Sequence, residues 1–135
     1  MGDDGERTVE REAVLDADPG EVWEALTDER LLSEWLAEEA ELDPVEGGDA
    51  VFRFEDGEER RGTVIRVERE RSLAFTWARP DEPETYVELI LEPAVAGTRL
   101  VVIERAAAVG PMALAEARWD ARLAALGRAL SLVPA

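Results

Sequence analysis

The stretch PMALAEARWDARLAALGRALSLV, residues 111–133, decides the architecture. Met112, Ala115, Trp119, Leu123, Leu126 and Leu130 recur at helical spacing and make one continuous apolar stripe. Pro111 stands where a helix can begin and Pro134 where it must stop, while Gly127 either weakens it slightly or permits close packing. A helix this long with one apolar stripe needs a broad surface to cover. The residues ahead of it offer a sheet.

Working back from the helix, TRLVVIER (98–105) and TYVELILEP (85–93) read as two strands paired across Ala96-Gly97. SLAFTWA (72–78) is a further strand, ended by the polar turn RPDEPE. GTVIRVER places Thr63, Ile65 and Val67 on one face, and it follows AVFRFE across Asp56-Gly57, a strong hairpin signal. EAELD (39–43) is a short strand before the Gly47-Gly48 loop. At the start, TVEREAVL (8–15) puts Val9, Ala13 and Leu15 on one side of a first strand.

Two short helices fill the gap after that strand. Asp18 can cap the first, Pro19 suits its first position and Glu21 closes a capping box, with Val22, Ala25 and Leu26 sharing one face. Asp28 can cap the second, which carries the stripe Leu31, Leu32, Trp35, Leu36. The order is one strand, two helices, about six strands joined mostly by short turns, and one long helix. It predicts an α+β fold: a curved antiparallel sheet wrapped around the C-terminal helix. Residues 1–6 read as a disordered polar tail and 7–135 as a single domain, without internal repeat or linker.

The bulk composition narrows the function. At 135 residues and 46% hydrophobic, the chain is long and apolar enough to build a core without staples. It has no cysteine, no histidine and no lysine, so all fifteen basic residues are arginine. Zinc, haem, catalytic triads, Schiff bases and phosphate-loop lysines lose their usual groups. Neither GxGxxG nor the spacing of an oxygen-ligand metal loop occurs, so no cofactor and no metal are expected. No eighteen-residue apolar run and no basic leader occur, which points to a cytoplasmic protein with no membrane partner. The basic stretch 58–72 is interleaved with glutamates and reads as a salt-bridged strand face.

Four segments together resemble a known family: DADPGEVWEALTDERLLSEWL (16–36), EGGDAVFRFEDGEERRGTVIRVERERSLAFTW (46–77), GTRLVVIER (97–105) and RWDARLAALGRAL (118–130). In this order they resemble the helix-grip fold of the SRPBCC (START-like) superfamily, which includes lipid-transfer domains, birch-pollen allergens and polyketide cyclases. Within it the chain is similar to the bacterial branch named after the activator of the ninety-kilodalton heat-shock chaperone's ATPase. The resemblance implies a cavity between sheet and C-terminal helix, or a chaperone as protein partner.

The candidate site follows from that geometry. Trp23 reads as core. Trp35, Trp77 and Trp119, with Phe54, are expected to bound an apolar cavity under the long helix, with Arg53 or Glu104 as its polar anchor. Glu104 shares a strand face with Leu100 and Val102, whereas Arg53 faces away from Phe52 and Phe54. The first functional reading is a non-catalytic carrier of a small hydrophobic or amphipathic molecule. The second is a co-chaperone-like interaction domain. The third is a cyclase- or dehydratase-type enzyme using a carboxylate, Glu88 or Glu104, or Tyr86; no catalytic residue is assigned.

The charge generates a prediction. Thirty-two acids against fifteen bases give a net charge of −17, and the basic stretch is neutralised within itself. DNA and RNA should show no measurable binding at physiological salt; micromolar affinity in a fluorescence titration would contradict this.

Overall fold

Each element begins with a local device and ends by facing a common core. The computed structural model describes residues 7–106 and 112–131. Strand β1 spans Arg7–Leu15 and leads into helix α1, Pro19–Thr27. There the Asp18 carboxylate accepts from the Glu21 N–H at 2.9 Å, and the Glu21 carboxylate accepts from the Asp18 N–H at 3.4 Å. This reciprocal box satisfies donors that a helix N-terminus otherwise leaves open. Asp28 then accepts from the Arg30 and Leu31 N–H groups and starts α2, Glu29–Leu32. Val22, Ala25, Leu26 and Leu32 are turned inward, as their spacing requires.

Six strands follow: β2 Glu39–Leu42, β3 Asp49–Arg53, β4 Glu59–Glu68, β5 Ser72–Trp77, β6 Thr85–Ala94 and β7 Gly97–Ala106. Helix α3, Met112–Ser131, comes last. The strands form one seven-stranded antiparallel sheet in the order β1-β7-β6-β5-β4-β3-β2. The first strand therefore closes onto the last, and the short β2 lies at the opposite edge. Asp56-Gly57 makes the expected hairpin between β3 and β4, with Gly57 at φ 87°, a conformation glycine adopts without strain. Inside β4, Gly62 has a different duty. A Cβ there would meet the Thr76 carbonyl oxygen at 1.8 Å, so only glycine lets the strand pass.

The inner face carries Val9 and Leu15 of β1, Phe52 of β3, Leu73, Phe75 and Trp77 of β5, Val87, Leu89 and Leu91 of β6, and Leu100 and Val102 of β7. Against it lie Trp119, Leu123 and Leu126, all buried, with Ala115 and Leu130 at the margins. The expected stripe is thus seated from Ala115 onward. The Met112 side chain, the flanking prolines and the tail 1–6 lie outside the described residues. Arg11, on the inner face of β1, reaches Glu116 at 3.3 Å and Asp120 at 3.1 Å and pins the helix to that edge of the sheet.

One face reading is corrected. Thr63, Ile65 and Val67 do not share a face, because β4 contains a β-bulge between Val64 and Arg66. Val64 stands opposite Phe75 and Val67 opposite Leu73, so both point inward and the extra residue, Ile65, does not. Val64 is 1% exposed and Ile65 is 47% exposed. Strict alternation fails because a bulge inserts one residue and shifts the phase of everything beyond it. Val64→Ala should therefore cost about 2 kcal/mol in chemical denaturation. Ile65→Ala should stay within about 0.5 kcal/mol of the parent; equal losses would refute the assigned register.

Candidate functional site

A carboxylate stands where the apolar faces of sheet and helix meet. Glu104 lies opposite Val9 on one side and Val87 on the other, so its side chain points into the inner face. Its two oxygens are divided between two tryptophans. Trp77 Nε1 donates to Oε2 at 3.0 Å, and Trp119 Nε1 donates to Oε1 at 2.7 Å. Trp77 ends β5 and Trp119 lies mid-helix, so one carboxylate ties β5, β7 and α3 together. A short charge-assisted hydrogen bond to each indole is stronger than a neutral one.

The rings are stacked, with centroids 6.1 Å apart and planes at 25°. Phe52 and Phe75 meet Trp77 edge-on at 5.4 Å and 5.5 Å, and Phe54 does so at 6.1 Å. Two guanidinium groups roof the stack. Arg122 Cζ lies 4.7 Å from the Trp119 ring centre, 5.4 Å from Trp77 and 5.6 Å from Phe54. Arg60 Cζ lies 4.7 Å from Trp77 and 5.4 Å from Phe54. Such contacts contribute about 0.5–2 kcal/mol each.

The electrostatics of the roof are uneven. Arg60 pairs with Glu58 at 2.6 Å, and Glu58 also takes Arg79 at 2.8 Å. Burial would push the Glu58 carboxyl up, but hydrogen bonds from Arg79 and Arg60 outweigh it and hold the group down at about 2. Burial and the neighbouring Arg60 charge push Arg122 down to about 10, against the pull of Glu104. Among the described residues no carboxylate lies within salt-bridge distance of Arg122.

Of the residues expected from sequence, Phe54, Trp77, Glu104 and Trp119 meet at this point. Trp35 and Arg53 do not join them. The second helix is shorter than its stripe implied: α2 ends at Leu32, and Trp35 and Leu36 lie in the turns beyond it, where Trp35 is buried and donates its Nε1–H to the Ala25 carbonyl of α1 at 2.9 Å. Arg53 lies on the outer face, bridging Glu39, Glu41 and Glu59 at 3.4, 3.3 and 3.0 Å. An open gap was expected beside the indoles, but neither Trp77 nor Trp119 has any exposed surface. The guanidinium groups and Phe54 occupy the space that the aromatics leave.

Arg60 and Arg122 were not expected, although both had a signal. Residues 115, 119, 122 and 126 follow helical spacing, so Arg122 occupies a stripe position. Arg60 is in phase with Gly62 and Val64 on β4, ahead of the bulge. Glu88 and Tyr86 lie on the outer face, where Glu88 accepts from Arg66 at 3.1 Å and Tyr86 at 3.4 Å. Burial first, then the Glu88 charge, pushes the Tyr86 phenol up and makes it harder to ionise. A cleft of about 550 Å³ also opens on that side, lined by Arg66, Ser72, Glu88, Ile90 and Glu92 near the start of α1. Among the described residues no group of three or more acidic side chains is placed to hold a metal ion. Nor is any helix there long and apolar enough to cross a membrane.

A curved antiparallel sheet closed on a C-terminal helix, with its polar groups gathered in the seam between them, defines a helix-grip domain of the SRPBCC type. Residues 16–131 match the family model described as activator of Hsp90 ATPase homolog 1-like protein, and the chain belongs to that family. Protein MLL2253 from Mesorhizobium loti is 25% identical with a TM-score of 0.85; the match covers 96% of this chain and 100% of that one. DynU16, from the dynemicin biosynthetic locus, is 28% identical with a TM-score of 0.83, over 96% of this chain and 48% of its own. The Aha1 dimer from Colwellia psychrerythraea, 20% identical over 93% and 97% of the two chains, shares the fold at a TM-score of 0.76. No curated protein matches the chain.

Two outcomes test the site. Glu104→Leu strands two buried indole N–H donors and should cost roughly 2–4 kcal/mol in urea unfolding; a loss under about 0.5 kcal/mol would show that the carboxylate does not hold the seam. Glu58 has a depressed folded pKa, so its contribution is complete above its unfolded value of 4.5 and is lost as pH falls toward about 2. Glu58→Gln should flatten the acid limb of the stability curve in that window; an unchanged limb would remove Glu58 from it.

Proposed function

We propose that this chain is a non-catalytic binding domain for a small hydrophobic or amphipathic molecule, taken up in the seam between α3 and the sheet. One observation carries the reading: the apolar seam is roofed by guanidinium groups over indole faces, where packing alone calls for aliphatic side chains. Arg60 is tied to Glu58, but the Arg122 part of the roof has no carboxylate contact among the described residues and would be the part displaced. Each cation–π contact is worth about 0.5–2 kcal/mol, and the displaced arginine regains water. The stacked indoles beneath are held by Glu104 and would form the floor of the opened site.

The same arrangement supports a carrier over an enzyme. Both Glu104 oxygens are engaged by indole N–H groups, which supports a structural use of the carboxylate over contact with a reacting substrate. Tyr86 and Glu88 lie on the far side of the sheet from the seam. The likeness to a protein from the dynemicin biosynthetic locus is in keeping with a small-molecule ligand.

The test is binding to the native state. A neutral solvatochromic dye such as Nile red should bind the folded protein saturably and quench tryptophan emission. Trp119→Ala should alter the affinity by more than its loss of stability explains. Dye uptake only along the unfolding transition would leave Trp119 as core alone, with a cost of about 3–5 kcal/mol for that substitution.

A further inference from the structure

Of the arginines turned into the helix–sheet seam, Arg11 has Glu116 and Asp120, and Arg60 has Glu58. Arg122 has ring faces instead. It lies within 5.6 Å of three aromatic centres, and among the described residues no carboxylate pairs with it. The nearby Glu104 spends its oxygens on indoles. Two guanidiniums therefore share one aromatic roof with a single ion-pairing carboxylate, Glu58, which Arg79 also uses. A partly buried cation with no carboxylate in contact is costly; burial and the adjacent Arg60 charge weigh against Arg122, and the pull of Glu104 offsets them only in part.

We infer that Arg122 is an anion-binding residue: its guanidinium takes the carboxylate or phosphate headgroup of an amphipathic ligand whose apolar body lies against Phe54 and the seam. A planar fork of donors suits either headgroup bidentately. The bound anion would supply the direct ion pair that Arg122 lacks, so binding is favoured by what the unliganded site leaves unmade. Phe54 is only partly buried and stands beside both guanidiniums, which places an apolar wall next to the charge. The chain as a whole, at −17, does not attract anions, so selectivity has to arise at this point. The inference rests on the seam being the ligand site and specifies the chemistry of what enters it.

Dodecanoate, dodecyl phosphate and dodecanol, each below its micellar concentration, separate the possibilities by calorimetry and tryptophan emission. At least one anion should bind about tenfold or more tightly than the alcohol. Preference between the two anions identifies the headgroup. Arg122→Gln should bring that anion down to the affinity of the alcohol, Arg122→Lys should restore part of it, and Arg99→Gln on the outer face should change nothing. Equal affinity for alcohol and anions, or an undiminished anion preference in R122Q, overturns the inference while leaving the seam as a binding site. If no amphiphile binds the folded protein, the seam reading falls as well. Should R122Q fail to fold, the wild-type preference decides alone.

Discussion

A single carboxylate held between two indole N–H groups is the constraint on which the rest depends. Glu104 fixes Trp77 at the end of β5 and Trp119 in the middle of α3, so the rotation of the helix about its own axis is set by the Trp119 hydrogen bond together with the Arg11 ion pairs to Glu116 and Asp120. Apolar contacts alone would allow the stripe to roll or slide, since dispersion and burial are non-directional. The carboxylate removes that freedom. Its own burial is tolerable because both oxygens are engaged, and the aromatic cluster from Phe52 to Trp119 then packs in one arrangement.

The roof over that cluster follows from the floor. Stacked indoles present electron-rich faces, and an arginine can lay its guanidinium on them while its stem covers apolar surface. A leucine at position 122 would bury area more simply. Arginine keeps polar hydrogen-bonding groups at the mouth of the seam, and that choice is what sets this helix-grip domain apart from a plain two-layer core. Membership of the family related to the activator of the Hsp90 ATPase accounts for the architecture. The two adjacent guanidiniums on one ring stack are read from this chain alone.

Sequence reasoning reached most of the fold because the decisive signals are local. Asp18 and Glu21 close their capping box within one turn, Asp56-Gly57 dictates a hairpin, and the Trp119–Leu123–Leu126 stripe has a single period. The misread face of β4 shows where locality ends. Whether Ile65 or Val64 is buried depends on a bulge, and the bulge is a property of the pairing with β5. The site divides in the same way. Glu104, Trp77, Trp119 and Phe54 were legible because two apolar surfaces had to meet. Trp35 lies apart from them, and its partner, the Ala25 carbonyl, is a backbone atom without a sequence signature. Arg122 is harder to read, because an arginine more often marks an exposed face, although its spacing puts it on the stripe.

Arg53, on the outer face of the sheet, has a different consequence. β2 has only β3 beside it, so one row of its backbone groups is left without a strand partner. An exposed edge of that kind can template pairing with another molecule and begin aggregation. Here the edge strand is four residues long, and Glu39 and Glu41 extend from it toward the Arg53 guanidinium on its neighbour. A second strand approaching this edge would meet two carboxylates already ordered by that arginine, and would have to desolvate or displace them before any backbone hydrogen bond could form. Arg53, read from sequence as a candidate ligand anchor, thus sets ordered charge beside this edge of the sheet, an arrangement that opposes edge-to-edge pairing of copies.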